Sequence, residues 1–144
     1  MNINESIRDW ITANLKDYPS LTSVSLVTMG ETAELDPPFL AIYEAGSATV
    51  EQNGVVMYGV TAFDIACELH TIPVSDDEDG TPPETERQYR KGFYDILGNR
   101  EAIAWMDGRN GWKVFDIRLS SPTTEPSEGR RVSRFSLTVI ACPN

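Results

Sequence analysis

The chain has 144 residues, 40% hydrophobic and 24% charged, the size and composition of one globular domain. A net charge of −10 excludes a typical phosphate-backbone binder, which needs clustered Lys and Arg. No apolar run is long enough to cross a membrane, and the N-terminus lacks the apolar segment of a signal peptide. We therefore expect one cytosolic domain over residues 1–144.

The charge is unevenly distributed along the chain. Residues 1–80 carry 14 acids and two bases, a net of −12, whereas residues 81–144 carry eight acids and ten bases, a net of +2. No Lys or Arg lies between Lys16 and Arg87. This asymmetry permits head-to-tail association, with the acidic part of one copy facing the more basic part of the next. The alternative is a solvated acidic surface that maintains solubility.

The first predicted element is an amphipathic helix over residues 3–16. Its apolar residues recur every three or four positions, which places them on one helical face: Ile3, Ile7, Trp10, Ile11 and Leu15. A short strand is predicted over 23–29 and a polar loop over 31–38. The next strand enters at Phe39, directly after two prolines, because a proline pair can precede a strand ladder but not sit within it.

A long hairpin is predicted next. Asn53-Gly54 is a strong turn signal, so the strand from Phe39 turns there and returns over residues 55–72. The return strand shows the period-two pattern of one buried and one exposed face. Its inward residues are Phe63, Ile65, Cys67 and Leu69, and its outward residues are Ala62, Asp64, Glu68 and His70.

The outer part of this hairpin, about residues 45–59, is predicted as a projecting arm. Val55, Met57 and Tyr58 give it apolar surface that a monomer has little means to cover, so we take them as candidate subunit-interface residues. The alternative is an ordinary twisted hairpin that folds back on its own sheet.

Residues 74–83 form an acidic loop that contains part of a calcium-loop pattern. A serine replaces the first carboxylate, two prolines interrupt the region, and a strand precedes it, so we favour a solvated loop. The alternative function is a monomeric acidic module that binds calcium or a peptide through residues 75–86. The residues that match the pattern are Ser75, Asp77, Asp79, Gly80 and Glu86.

Two helices are predicted in the second half. The helix over 84–97 has an apolar stripe, and Glu86 lies four residues before Arg90, at ion-pairing distance on a helix. A short helix through Met106 follows, with Asn99 as its cap and Ile103 as its inward residue. The stripe consists of Tyr89, Phe93, Ile96 and Leu97.

Two further strands complete the chain, joined by a flexible Ser/Thr/Pro linker over residues 120–129. The strand over 112–119 is predicted to place Lys113, Phe115, Ile117 and Leu119 on one face. The strand over 132–142 is predicted to bury Phe135, Leu137, Val139 and Ala141.

This order of elements predicts an α+β fold: an antiparallel-rich mixed sheet of about five strands, with helices packed on one face and a long projecting β-hairpin. The second face of the sheet, bearing Asp64, Glu68, Arg118 and Arg134, is expected to be polar and available.

No catalytic signature is present in the sequence. The single histidine, His70, is expected to be a partly exposed strand residue, and Cys67 points to the opposite face, so the two cannot share a metal. Cys67 and Cys142 are expected to be buried, reduced thiols. Phosphate-binding glycine loops and nucleophile elbows are absent. We therefore expect neither an enzyme, nor a cofactor, nor a metal site.

The layout resembles the tail terminator proteins of long-tailed, lambda-like bacteriophages, and more loosely other ring-forming tail-completion and neck proteins. The likeness covers nearly the whole chain. It is carried by the opening helix IRDWITANL, the strand PPFLAIY, the long strand FDIACELHTIP with its acidic loop, the helix RQYRKGFYDIL and the closing strand RFSLTVIAC.

The resemblance implies a structural virion protein, assembled in the host cytoplasm and located in the tail. Subunits would form a ring, with six copies expected, that caps the tail tube, stops its polymerisation and docks to a head-completion protein. DNA would pass through the lumen without specific binding. We add the hypothesis that Arg130, Arg131 and Arg134 of one subunit contact the acidic surface of the next.

Overall fold

The computed structural model describes residues 2–30, 34–71, 84–121, 123–127 and 130–144. The helices are α1 (Ile3–Asn14), α2 (Glu84–Leu97) and α3 (Glu101–Met106), with 3-10 turns at Leu15–Asp17 and Pro19–Ser23. The strands are β1 (Ser25–Val27), β2 (Phe39–Gln52), β3 (Val55–Thr71), β4 (Trp112–Leu119), β5 (Thr123–Ser127) and β6 (Arg130–Pro143). Within these ranges no helix is long and apolar enough to span a membrane.

The strands form one mixed sheet in the order β1-β2-β3-β6-β4, and β5 also pairs with β6. β1 runs parallel to β2, and the other pairings are antiparallel. This arrangement confirms the predicted α+β class with an antiparallel-rich mixed sheet.

The core lies between the helices and one face of the sheet. Directly opposed residues of antiparallel strands share a face, and Ile65 opposes Leu137 while Cys67 opposes Phe135. The helices cover this layer with the predicted apolar stripes, principally Ile3, Ile7, Trp10, Ile11, Phe93, Ile96 and Leu97.

Both cysteines are free thiols. Cys67 is fully buried in the core, and burial raises its pKa to about 12, so the thiol stays protonated and packs as a small apolar group. Cys142 is only partly buried, so the expectation of two buried thiols holds for Cys67 alone.

The alternation of β4 differs from the prediction because of a β-bulge. Val114 opposes Ala141 and Asp116 opposes Ile140, which leaves Phe115 as an extra residue between the two pairs. Phe115 is therefore exposed. Val114 faces the core instead.

Residues 120–129 were predicted as a flexible linker, but the structure places β5 within them. Thr123 pairs with Arg134, and the pairing continues to Ser127 opposite Arg130. Pro126 is compatible with this position because β5 pairs only with β6 among the described strands, and an edge strand has amides that need no partner.

The helix boundaries also differ slightly from the prediction. The α-helical part of the first helix ends at Asn14 and continues as a 3-10 turn. In α3 the inward residues are Ala102 and Met106, whereas Ile103 is only partly buried. The side chain of Asn99 caps this helix by accepting a 2.9 Å hydrogen bond from the Glu101 amide.

We predict that Gly92→Ala lowers the free energy of unfolding by about 1–2 kcal/mol, because overpacking outweighs the gain in helix propensity. A Cβ at position 92 would lie 2.9–3.1 Å from three atoms of Leu21, which is fully buried, so the side chain of Leu21 would have to shift within the core. Gly46→Ala is the control, since its nearest neighbour would be 4.0 Å away. Urea denaturation of both variants checks this, and equal stabilities would contradict it.

Candidate functional site

The predicted hairpin is present, with its turn at Asn53-Gly54. Both residues have positive φ angles, 54° and 78°, which a two-residue type I′ turn requires. Gln52 opposes Val55 and Glu51 opposes Val56 on either side of the turn. The sequence signal therefore located the turn correctly.

The hairpin extends past the rest of the sheet. The pairing of β3 with β6 ends at Thr61 opposite Ala141, so residues 50–60 have only each other as sheet partners among the described residues. We call residues 50–60 the arm. It extends roughly 10–15 Å beyond the last sheet pair, at about 3.3 Å per residue plus the turn. The sequence predicts an arm over about residues 45–59. Residues 45–49 do not belong to the projecting part, because they lie beside residues of β3 that also pair with β6.

A large irregularity shapes the arm. Thr49 opposes Thr61 and Glu51 opposes Val56, so Val50 alone faces the four β3 residues at positions 57–60. The three extra residues are accommodated at Gly59, whose φ of 80° is strained for residues with a side chain.

The arm carries a cluster of exposed apolar side chains. Of the six large hydrophobic side chains that are exposed in the described chain, four are consecutive in the arm: Val55, Val56, Met57 and Tyr58. Val55 is 65% and Tyr58 94% exposed, so the arm does not fold back on its own sheet. The structure thus gathers three predicted interface residues, Val55, Met57 and Tyr58, in one projecting patch.

The second face of the sheet is only partly open. Asp64 and Arg118 are exposed as predicted, but Glu68 is buried. Its carboxylate accepts a 2.6 Å hydrogen bond from Nε of Arg134, the residue directly opposite on β6. Burial and this nearby carboxylate raise the pKa of Tyr43.

His70 is also buried, at 7% exposure, and not partly exposed as predicted. Its ring stacks on Phe39 with centroids 4.3 Å apart, and Nδ1 lies 3.5 Å from an Arg130 guanidinium nitrogen. Nε2 is 3.8 Å from the Glu68 carboxylate, too far for a hydrogen bond. Burial lowers the pKa of His70, and the Glu68 carboxylate opposes this shift. At neutral pH the imidazole is therefore uncharged.

Glu86 has a role that the sequence did not indicate. It is 2% exposed, accepts a 2.6 Å hydrogen bond from Arg131 Nε and a 3.1 Å bond from Ser133 Oγ, and so joins α2 to β6. It does not pair with Arg90 as expected. The helical spacing identified a partner four residues away, whereas the real partners are more than 40 residues away.

This contact bears on the alternative calcium module. The other matching residues, Ser75, Asp77, Asp79 and Gly80, lie outside the described residues, as does the acidic loop over 74–83. Glu86 is the position that would supply two oxygens to calcium. Arg131 and Ser133 already bind both of its oxygens. In the described ranges, no group of three or more His, Cys, Asp or Glu side chains could hold a metal ion.

The three predicted interface arginines lie together at the start of β6 and contact their own chain. Arg131 pairs with Glu86 and Arg134 with Glu68. The guanidinium of Arg130 lies 5.6 Å from the ring centroid of Phe39. Their contact with a neighbouring subunit stays a prediction.

The described residues form an α+β fold with a projecting hairpin. No protein-family model matches the chain, and no curated protein matches it. Among solved structures, it is similar to the sheath/tube terminator of an extracellular contractile injection system, PVC, in its extended state. The sequence identity is 15% and the TM-score 0.41, and the match covers 96% of this chain and 56% of the neighbour. This chain thus spans little more than half of that neighbour.

We predict that Glu86→Gln lowers the free energy of unfolding by about 2–3 kcal/mol, because it removes the negative charge of a buried group that accepts a 2.6 Å hydrogen bond from Arg131. Glu84→Gln, an exposed position in the same helical turn, is the control and should change stability by less than about 0.5 kcal/mol. Chemical denaturation at pH 7 measures both. A similar loss in the two variants would exclude a special role for Glu86.

We also predict that stability falls as the pH is lowered through about 6.5, the usual pKa of an unfolded histidine. The folded pKa of His70 is lowered, so the unfolded chain takes up the proton first and gains stability relative to the folded one. The slope is at most about 1.4 kcal/mol per pH unit. Denaturation between pH 7.5 and 5.5 checks this. Since His70 is the only histidine, His70→Gln should abolish the slope, and an unchanged slope would contradict the assignment.

Proposed function

We propose that the protein is a tail terminator, a structural component of a phage tail or a related tail-like particle. Copies assemble head to tail into a ring, with six as the expected number. The ring caps the tail tube, stops its polymerisation and provides the surface to which the head-completion protein docks. The protein carries out no catalytic step and uses no cofactor.

The observation that carries the proposal is the arm. Four consecutive apolar residues project from the domain, and no described part of the chain covers them. A two-stranded hairpin alone is marginally stable in water, so such a segment is expected to pack on a partner. A second copy of the chain supplies a partner at every subunit of a ring.

A second feature supports self-association. Among the described residues, β2 pairs with β1 only over Phe39–Ala41. Beyond Ile42, whose carbonyl accepts a hydrogen bond from Asn4, no strand in the described part of the chain pairs with the outer edge of β2. Exposed edges are the usual points of strand addition between chains. Arm and edge lie on the same hairpin, so a single contact with a neighbouring subunit covers both.

The partners of the proposed ring are the tail tube subunit and a head-completion or neck protein. The N-terminal half of the chain is strongly acidic, with a net charge of −12 over residues 1–80, which suits a lumen through which DNA passes without binding. The proposed location is the tail of the virion, after assembly in the host cytoplasm.

We predict that native mass spectrometry, from low micromolar to near-millimolar concentration, detects a species of six subunits that grows with concentration. The double variant Met57→Ser/Tyr58→Ser should weaken association at least tenfold, because it removes two exposed apolar side chains of the arm.

The matched control is Met29→Ser/Phe115→Ser. It removes a methionine and an aromatic side chain that are also exposed but lie outside the arm, and it should leave association unchanged. Rings seen by electron microscopy for the wild type and the control, but not for the arm variant, would support the proposal. A strict monomer over the whole concentration range would contradict autonomous ring assembly.

A further inference from the structure

One surface of α2 carries an unusual group of cations. Arg87, Arg90 and Tyr94 recur every three or four residues and, together with Lys91 and Asp95, line a shallow groove of about 240 Å³. Arg87 and Lys91 are exposed and Arg90 is half-buried. We call Arg87, Arg90 and Lys91 the α2 cations.

The α2 cations differ from five other basic residues of the chain in their ion pairing within the described residues. Arg8, Arg100, Arg118, Arg131 and Arg134 each form an ion pair with a carboxylate of their own chain. In the described ranges no such carboxylate lies within ion-pair distance of the α2 cations. Three positive charges therefore lie close together on α2 without an ion-pair partner among the described residues, in a protein with a net charge of −10.

The arm and the strands below it carry negative charge, opposite in sign to the α2 cations. Glu44 and Glu51 on β2 and Asp64 on β3 are all exposed, and no basic residue lies between Lys16 and Arg87. Glu51 lies in the arm opposite Val56, whereas Glu44 and Asp64 lie below the arm, where Glu44 opposes Ile65 and Asp64 opposes Gly46. The α2 groove likewise combines charge with an aromatic ring, since Tyr94 packs edge-on against Phe135 with centroids 6.4 Å apart.

The arm cannot reach the α2 cations of its own chain. Glu86, one residue before Arg87, bonds to Arg131 and Ser133, which oppose Thr71 and Leu69 at the far end of β3. Tyr94 contacts Phe135, opposite Cys67. The arm begins beyond Thr61, six to ten residues away, which is roughly 20–35 Å along an extended strand. The two complementary surfaces therefore lie towards opposite ends of the molecule.

From this arrangement we infer that the arm of one copy docks on the α2 cations of the next copy, with the acids of β2 facing the cations and Tyr58 entering the groove beside Tyr94. This inference rests on the proposed self-assembly and identifies the two surfaces that meet between neighbouring copies. It is heterologous, because a different surface of each copy takes part, and it leaves a free arm and a free groove at the ends of an open chain. Closure into a ring occupies both.

The test is a charge swap. Arg87→Glu/Lys91→Glu should weaken association at least tenfold at 50 mM salt, and Glu44→Arg/Glu51→Arg should do the same, because each places like charges across the contact. The quadruple variant restores opposite charges with the signs exchanged. It should associate within threefold of the wild type. The effect of each double variant should shrink at 500 mM salt, where screening is strong.

The matched control is Lys16→Glu/Lys113→Glu, which changes the net charge by the same amount at exposed lysines outside α2 and should leave association unchanged. Circular dichroism and the monomer stability of each variant confirm that folding is retained. Double variants that associate as well as the control, or a quadruple variant that stays as weak as the double variants, would overturn the contact.

Two further results are informative. The first distinguishes a wrong docking surface from a wrong proposed function, and the second tests whether DNA, and not a second copy, binds the α2 cations. If Met57→Ser/Tyr58→Ser disrupts assembly but reversal of the α2 cations does not, the ring stands and only the docking surface is wrong. Fluorescence anisotropy with a 20-base-pair DNA duplex tests phosphate as the occupant. DNA binding that is lost in Arg87→Glu/Lys91→Glu, with assembly intact, would assign the α2 cations to nucleic acid and overturn the inference.

Discussion

The rest of the structure depends on the pairing of β3 along both of its edges. From Thr61 to Thr71 each residue opposes one of β6, and over most of the same span β2 pairs on the other side. Directly opposed residues share a face, so the alternation of β3 is transmitted to both neighbours. One continuous apolar layer results, and the helices can bury it. A one-residue slip of β3 would move all of its core residues to the opposite face of the sheet.

The features that could be predicted from sequence are those that local chemistry decides. Asn53-Gly54 determines the turn because positive φ angles are needed at both positions. The apolar stripes of α1 and α2 and the alternation of β3 and β6 identified the buried faces, and from them the α+β class. The arm was predictable for the same reason, since a turn this far along an alternating strand leaves its end without a core to cover it.

The features that were missed arise from contacts between distant segments. Phe115 is exposed because β4 bulges against β6, which no local pattern in β4 indicates. Glu68 is buried because Arg134 lies directly opposite, and the partners of Glu86 lie on β6, far from it in sequence. A charged residue in an alternating strand is usually exposed. Arg134 allows Glu68 to be buried because it lies directly opposite on the neighbouring strand. The sequence alone does not show this pair, since it depends on the strand register.

The continuation of β3 past β6 links the fold to assembly. The strand that organises the core also extends beyond it, and its first six residues, Val55–Val60, have β2 as their only neighbouring strand among the described residues. Such a segment gains most of its stability from what it packs on. Because the arm and the α2 cations lie towards opposite ends of β3, the chain has two unlike surfaces whose charges attract. Unlike surfaces at opposite ends produce polar, head-to-tail assemblies, in which the rotation between successive copies decides whether a ring closes or a filament grows.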